Sequence, residues 1–303
     1  MSELLQIEGT CDPVEIPPRR DRPAWLRVRY RQTPELEGLL QLVRDERLNT
    51  VCQSAACPNL GECWSHGTAT FMIGGNLCTR ACGFCDVKTG RPDALDPDEP
   101  NRVGAAVARL GLRFAVVTAV ARDDLEDGGA AHFARTVASI RAHAPGCKVE
   151  VLIPDLKGSL GALRLVLDAS PDVLNHNLET VERLQKPVRK AGRYERSLEV
   201  LANAARLRPE IPTKTGLMLG LGETGAEIRT TLADIRAHGC RLLTIGQYLA
   251  PSAEHLPVAR WVTPEEFEAW AEAARALGFA EVFSGPLVRS SYRAEKLAAA
   301  ALG

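Results

Sequence analysis

The sequence lacks the features that would place the chain in a membrane or export it. No apolar run approaches the ~20 residues that a helix needs to span a bilayer. The opening stretch, MSELLQIEGTCDPVEIPPRR, has no apolar core that follows positive charge, so it resembles neither a secretory signal nor a transit peptide. The sequence therefore predicts a cytoplasmic protein.

An excess of charge of either sign is also missing. The 37 Lys and Arg residues nearly balance the 38 Asp and Glu residues, which leaves a net charge of −1. No global field therefore draws the chain toward nucleic acid or an anionic membrane, and we expect neither as a partner. The six histidines show no metal-ligand or triad spacing, and no Ser–His–Asp arrangement stands out.

Cysteine, by contrast, is concentrated in one place. Six of the nine cysteines fall within a single short segment, in two groups of three: Cys52, Cys57, Cys63, Cys78, Cys82 and Cys85. In a cytoplasmic protein such clusters are more often metal-binding or catalytic than disulfide-forming. The scattered Cys11, Cys147 and Cys240 are predicted to have no chemical role.

From residue 70 onward, short apolar runs alternate with amphipathic stretches. They predict strands at 70–74, 114–119, 148–152, 172–176, 213–219, 242–248 and 281–284, and helices at 97–110, 129–143, 160–169, 194–207, 225–238 and 264–277. Six strand–helix repeats indicate a parallel sheet, and right-handed crossovers would curl it. Two units of a full eight-fold barrel are missing, so we expect a partial (β/α)6 barrel, with an open doubly wound sheet as the rival architecture.

In either architecture the active site belongs at the carboxyl ends of the strands. Polar or glycine residues follow each of the six strands, which favours a single site built from their loops. The candidates after the second to sixth strands include Arg122, Asp123, Asn175, Asn177, Glu179, Gly222, Glu223 and Gln247. Residues 220–225 match G-x-G-x-x-G, but no acidic residue follows about 20 positions on, so we interpret them as a glycine loop at the rim.

The spacing Cys78-x3-Cys82-x2-Cys85 is also that of an amphipathic helix stripe, so three buried core cysteines are one reading. Gly83 is unfavourable inside a helix, and a helix would spread the outer thiols by roughly 10 Å. A compact loop around one small object is therefore favoured. Thiolates at this spacing select zinc or an iron–sulfur cluster, and a 4Fe–4S cluster held by three ligands keeps one iron open.

The spacing Cys52-x4-Cys57-x5-Cys63 cannot be presented on one face of a helix, and Pro58 and Gly61 are expected to prevent a helix there. We therefore predict a loop wrapped around a second cluster. A zinc knuckle with a distant fourth ligand and incidental thiols are the alternatives. Six basic residues between 183 and 196 predict a solvated helix face, or a docking surface for an acidic carrier domain.

The first triplet, with Phe84 directly before its last cysteine, resembles the signature of radical S-adenosylmethionine enzymes. That resemblance implies a partial or full barrel and an open iron chelated by S-adenosylmethionine, whose reductive cleavage releases a 5′-deoxyadenosyl radical. With the second triplet in front of it, the chain resembles the lipoyl synthase family over roughly residues 30–300. The matching segments are CPNLGECW, TFMIGGNLCTRACGFCDVKTGRP, VTAVARDDLEDGGA, NHNLETV, GLMLGLGET, GQYLAPS and GPLVRSSY.

The resemblance implies two 4Fe–4S clusters. One is held by Cys78, Cys82 and Cys85, and the other by Cys52, Cys57 and Cys63 with Ser291 of the Arg-Ser-Ser-Tyr motif as fourth ligand. It divides the chain into an N-terminal extension (1–65), a barrel (66–285) and a C-terminal segment (286–303), with both extensions covering the barrel mouth.

The implied activity is insertion of two sulfurs at C6 and C8 of a protein-bound octanoyl-lysine, with the second cluster consumed. Implied partners are octanoylated lipoyl carrier domains, namely E2 subunits and the glycine cleavage H protein, and a low-potential electron donor such as ferredoxin or flavodoxin; we expect a monomer. The alternatives are another sulfur-inserting radical enzyme of the methylthiotransferase type, a non-enzymatic iron–sulfur electron carrier and a zinc-binding structural module.

Overall fold

The structure is a computed structural model that describes residues 22–26, 37, 41, 43–46, 48–51 and 59–302. Cys52 and Cys57 therefore lie outside the described residues, as does most of the predicted N-terminal extension. No helix in the described part is long and apolar enough to cross a membrane.

Strands and helices alternate along the chain. The strands are β1 (Asn49–Thr50), β2 (Thr68–Ile73), β3 (Phe114–Ala119), β4 (Lys148–Leu152), β5 (Val173–Asn175), β6 (Thr213–Leu219), β7 (Leu242–Gln247) and β8 (Glu281–Gly285). The helices are α1 (Leu60–Ser65), α2 (Glu99–Arg109), α3 (Ala130–His143), α4 (Leu160–Asp168), α5 (Gln185–Val188), α6 (Tyr194–Leu207), α7 (Gly225–Ala237), α8 (Pro264–Ala276) and α9 (Ala294–Leu302). All seven predicted strands and six predicted helices are confirmed, each within two residues at either end.

The sheet runs in strict chain order from β1 to β8. Strand β1 pairs antiparallel with β2, and every later neighbouring pair is parallel. A doubly wound sheet would reverse its strand order at a switch point, so that alternative is wrong. The described residues show no pairing of β8 with β1 or β2, and the curled sheet stays open. The predicted partial barrel is confirmed.

The outer face of the sheet packs against the helices. On the β2–β5 side, Phe71, Val117 and Val151 belong to one apolar core cluster with residues of α2, α3 and α4. On the β6–β8 side, Leu217 and Ile245 belong to a second cluster with residues of α6, α7 and α8. This burial holds the strands rigidly, so their carboxyl ends form a fixed platform for the loops.

The inner face changes character along the barrel axis. At the amino ends of the strands it is apolar, and helix α9 fills it; the residues in contact are Phe114, Val116, Val173 and Leu242 with Ala294, Leu297 and Ala298. Further along, the fully buried Glu150 and Lys214 form an ion pair at 2.9 Å, and Asn175 Nδ2 donates to Glu150 Oε1 at 2.8 Å. Helix α9 was not predicted, and it closes the end opposite the active-site loops. Within the C-terminal segment, the predicted cover of the mouth is thus left to residues 286–293.

Candidate functional site

The first cysteine triplet lies in the loop that follows β2. Residues 74–90 contain no helix, as predicted. The backbone of Cys78 is fixed on both sides, since its N–H donates to Lys88 O at 2.8 Å and its carbonyl accepts from Gly90 N at 2.9 Å. The loop therefore turns back on itself and brings Cys78, Cys82 and Cys85 together without a helix.

Backbone donors point at the sulfur of Cys78. Its Sγ accepts from Arg80 N at 3.4 Å and from Ala121 N, just after β3, at 3.3 Å. One donor lies within the cysteine loop and the other lies just after β3, so the two hydrogen bonds fix the sulfur against the end of that strand.

The thiols of Cys82 and Cys85 interact electrostatically. Burial raises the pKa of Cys82 to about 11; Arg189 lowers it, whereas Cys85, Glu179 and Cys78 raise it further. Burial is likewise the main cause of the raised pKa of Cys85, with Cys78 and Glu179 adding to it. A bound iron–sulfur cluster would offset this repulsion, because its irons are cationic.

Gly83 has a packing function that the sequence did not indicate. Its N–H donates to Val188 O at 2.9 Å, and its carbonyl accepts from Leu256 N at 3.0 Å. An added Cβ would lie 2.9 Å from the Leu256 side chain and 3.1 Å from Pro187 O. A glycine is required because the loop is clamped between the segments that follow β5 and β7. The neighbouring Phe84 is half-buried.

Arg80, inside the cysteine motif, joins three strand-end loops and was missed in the sequence. Its guanidinium donates to both Asp123 carboxylate oxygens at 2.7 Å and to Asp155 Oδ1 at 2.6 Å. Burial would raise the pKa of the inaccessible Asp155, but Arg80 lowers it to about 2. Asp123, predicted as a cofactor contact, therefore anchors the cysteine loop through Arg80.

The loop after β5 brings polar groups to the cysteines. Glu179 adopts a positive φ of 70°, a strained conformation for a residue with a side chain, and accepts from Asn177 Nδ2 at 3.1 Å. Burial raises the pKa of Glu179, while Arg189 opposes that shift. The side-chain oxygens of Asn175 and Asn177 are buried without a hydrogen-bond partner. A bound ligand with N–H or O–H donors would satisfy these two acceptors.

Arg189 belongs to the basic run that predicted a solvated helix face. It is instead 7% exposed and donates to Ser197 Oγ at 2.8 Å, so the prediction is wrong for this residue. Its charge acts on Cys82 and Glu179. No local pattern distinguishes a buried Arg from its exposed neighbours, because burial depends on the loop packing against the barrel.

Four further predicted contacts have their polar atoms engaged by the protein itself. Arg122, which is 3% exposed, donates to Gly74 O, Asp93 O and Asp124. Glu223 accepts from the N–H groups of Gly220 and Leu221, and the Gln247 amide bonds to backbone groups. Gly222, at φ +100°, accepts from Arg183 through its carbonyl. These residues shape the loops at the rim.

The second triplet contributes one described residue, Cys63, in helix α1. Gly61 also lies inside this helix, so the expectation of a helix-free loop is wrong for residues 60–65. A glycine costs about 1 kcal/mol in a helix, and burial of Leu60 and Trp64, each 5–6% exposed, outweighs that cost. Cys63 itself is half-buried and packs against the core of the β2–β5 side.

The segment of residues 286–293, which carries Ser291, lies beside Cys63. The negative charge of Cys63 is among the causes that raise the pKa of Tyr292, after burial and Glu62. Tyr292 and Arg293 contact Glu62, the residue before Cys63, so the half-buried Ser291 belongs to a segment that is attached to helix α1.

The chemistry of the first donor set fits an iron–sulfur cluster. Each of the six described cysteines is a free thiol. Three soft thiolate donors from one loop suit a 4Fe–4S cluster that keeps one iron open. In the part of the chain that the structure describes, no three His, Cys, Asp or Glu side chains are grouped as the ligands of one metal ion.

Comparison with known proteins agrees with this chemistry. Residues 72–235 match the Radical SAM superfamily. The lipoyl synthase of Thioalkalivibrio sulfidiphilus is 51% identical over 297 residues, which cover 98% of this chain and 92% of that protein. This chain belongs to the lipoyl synthase family. The family member from Thermus thermophilus is 55% identical over 284 residues, covering 93% of this chain and 88% of that protein.

Solved structures agree at the level of the fold. A maturase of the [FeFe]-hydrogenase, HydG, superposes with a TM-score of 0.57 at 14% identity, covering 82% of this chain and 62% of that chain. Methylornithine synthase superposes with a TM-score of 0.56 at 12% identity, covering 81% and 70%. Family membership favours lipoyl synthase over a methylthiotransferase, and an electron carrier would have no need of this barrel.

Proposed function

We propose that this lipoyl synthase inserts two sulfur atoms at C6 and C8 of an octanoyl chain held on a lysine of a lipoyl carrier domain. One observation carries the proposal. In a chain 51–55% identical to lipoyl synthases, one half-buried loop brings Cys82 and Cys85 close enough to Cys78 and Glu179 to interact with them electrostatically. The C–H bonds at C6 and C8 are unactivated, so side-chain acids and bases alone cannot break them.

The chain's own residues would hold two 4Fe–4S clusters. Cys78, Cys82 and Cys85 would bind the first, and Cys52, Cys57, Cys63 and Ser291 the second. When bound, the first cluster with S-adenosylmethionine supplies the radical that removes hydrogen, and the second supplies sulfur. Two S-adenosylmethionine molecules are then needed per product, one for each C–H bond.

The partnerless carboxamide oxygens offer acceptors for S-adenosylmethionine. Those of Asn175 and Asn177 are buried, and the Asn177 oxygen lies above Gly216 on the inner face of β6. Glu179 adds a carboxylate suited to the ammonium group of the ligand, since an opposite charge would offset its buried state. Phe84, Arg122, Asp123, Gly222, Glu223 and Gln247 complete the proposed binding loops.

The substrate would be a carrier protein, either an E2 subunit or the glycine cleavage H protein. We further propose a ferredoxin or flavodoxin as electron donor, a monomeric enzyme and a cytoplasmic location. The N-terminal extension (1–65) and residues 286–293 would exclude water and oxygen from the mouth between them. Contact of residues 286–293 with the carboxyl end of β7 supports this role for them.

An anaerobic iron and sulfide count tests the two clusters, with about eight irons expected per chain. Cys52→Ala should then leave S-adenosylmethionine cleavage intact and abolish lipoyl formation. Cys240→Ala, which removes a buried thiol outside both triplets, is the matched control and should retain both activities. A count near four irons, or a Cys52→Ala enzyme that still forms lipoyl product, would refute the sacrificial role.

A further inference from the structure

The polar residues at the start of helix α1, Asn59 and Glu62, do not cap the helix in the usual way. The stretch Asn59-Leu60-Gly61-Glu62 places a favoured N-cap residue three positions before a glutamate, which is the spacing of a capping box. Yet the Asn59 side chain makes no capping hydrogen bond. Both polar side chains are directed away from the helix that they would normally cap.

Asn59 instead reaches the C-terminal segment. Its Nδ2 donates to Leu287 O at 2.6 Å, across 228 positions of sequence. Asn59 is 5% exposed, so this hydrogen bond is shielded from water. Losing it would remove a hydrogen bond from a half-buried contact between the two segments.

Glu62 binds the other end of the same segment. It accepts from Tyr292 Oη at 3.2 and 3.3 Å and from Arg293 Nε and Nη2 at 2.9 and 2.5 Å. The Arg293 guanidinium also lies 5.4 Å from the centre of the Tyr292 ring. A fork of two charge-assisted bonds fixes direction as well as distance.

Ser291 lies between these two contact points in the sequence. The segment also packs against the barrel. An added Cβ at Gly246 of β7 would overlap the carbonyl oxygen of Val288, which shows how closely the segment approaches that strand. Helix α1 carries Cys63 one residue after Glu62. The same six-residue helix thus carries a thiol of the second triplet and the carboxylate that holds the serine-bearing segment.

We propose that Asn59 and Glu62 form a clasp that positions Ser291 for the auxiliary cluster. The clasp rests on the proposed ligation by Ser291. Giving up a helix cap costs about 1 kcal/mol, so the diverted side chains are explained by the inter-segment contacts. Asn59 and Glu62 are positioning residues, because they act on the cluster through the segment and do not ligate it.

The test measures iron retention in place of catalysis. The full chain is reconstituted anaerobically with Cys78, Cys82 and Cys85 all replaced by alanine, so that every bound iron is auxiliary. Glu62→Ala should accelerate loss of iron to a chelator about three- to tenfold, the range that loss of a charge-assisted, partly exposed pair allows. Glu62→Gln, which can still accept from Tyr292 and Arg293, should give a smaller acceleration.

The control is Glu210→Ala. Glu210 forms an ion pair with Arg208 on the surface, so it has the same chemistry without the clasp. Its iron-loss rate should equal that of the parent chain. Ser291→Ala should lose iron at least as fast as Glu62→Ala, and the double variant should be no faster than Ser291→Ala, because the clasp acts only through the serine.

Three outcomes would overturn the clasp. Unchanged iron loss in Glu62→Ala, with acceleration in Ser291→Ala, refutes the clasp and leaves the serine ligand standing. Multiplied effects in the double variant show a general structural defect that does not act through Ser291. Unchanged iron loss in Ser291→Ala refutes the serine ligand and the clasp together.

Hydrogen exchange on the cluster-free full chain supplies a second readout. Glu62→Ala and Asn59→Ala should each lower the protection of backbone amides between residues 287 and 293, while the strands of the barrel keep theirs. Unchanged protection in both variants would also refute the clasp, since the segment would then be held by other contacts.

Discussion

The two cysteine sites of this lipoyl synthase are built in different ways. The first triplet spans eight residues of one loop, and that loop is clamped by segments following β3, β4, β5 and β7. The proposed second site joins helix α1 to a segment more than 220 positions away, through the half-exposed Glu62–Arg293 pair. The first triplet is brought together within one loop, whereas the second site depends on the meeting of two distant segments. That contrast agrees with our proposal that one cluster is kept and the other is spent.

The largest effect should separate the two sites completely. Cys82→Ala removes a ligand from the barrel loop and should abolish formation of 5′-deoxyadenosine while about four irons remain bound. Cys63→Ala should do the opposite and retain 5′-deoxyadenosine formation without product. Chromatographic assay of 5′-deoxyadenosine with an iron count checks both. If the two variants behaved alike, the division into independent sites would be wrong.

The next effect concerns the rigidity of the barrel loop. Arg80→Ala leaves the carboxylate of the fully buried Asp155 without its main partner, so the free energy of unfolding should fall by about 3–5 kcal/mol. Urea unfolding of the cluster-free chain measures this change. Arg80→Lys should recover only part of the loss, because an ammonium cannot fork between two carboxylates. The control Arg208→Ala removes an ion pair at the surface and should lower the free energy of unfolding by less than about 1 kcal/mol. Equal losses of stability in Arg80→Ala and Arg208→Ala would contradict the argument.

Mild acid should lower the free energy of unfolding through the buried His176. His176 is buried between Ile153 O and Ser197 Oγ; burial and then Arg189 lower its pKa to about 4. The unfolded chain takes up this proton near pH 6.5, so between pH 7 and pH 5 the folded state should lose about 2 kcal/mol of stability. Urea unfolding at the two pH values should show this dependence in the parent chain and a weaker one in His176→Gln. Identical dependence would exclude His176 as its source.

The smallest effect tests the seat of the C-terminal segment. Gly246→Ala inserts a methyl group where the Val288 carbonyl lies. Because the segment can shift to relieve the overlap, the free energy of unfolding should fall by about 1 kcal/mol. Gly146→Ala, with open space around it, should be neutral. Thermal unfolding compares the two. A Gly246→Ala chain as stable as Gly146→Ala would show that the segment does not press on β7.

Local patterns predicted most of the barrel because helix and strand periodicities are set by neighbouring residues. The predicted helix at 264–277 is one example, because Thr263 and Glu266 form a capping box with Pro264 at the first helical position. Helix α1 was missed because Gly61 argued against it, and helix α9 was missed although its run of alanines favours a helix. In both cases tertiary burial of an apolar face, at Leu60 and Trp64 or at Leu297 and Ala298, decided the structure.

The sequence by itself determined the two cysteine triplets, the family and the order of strands and helices, since each depends on spacing along the chain. Only the tertiary structure decided which charges meet. Arg80 lies 43 and 75 positions from its two carboxylates, and Arg293 lies 231 positions from Glu62. Such pairs carry no periodic signal, because they form only after the sheet has curled and brought separate loops to one end.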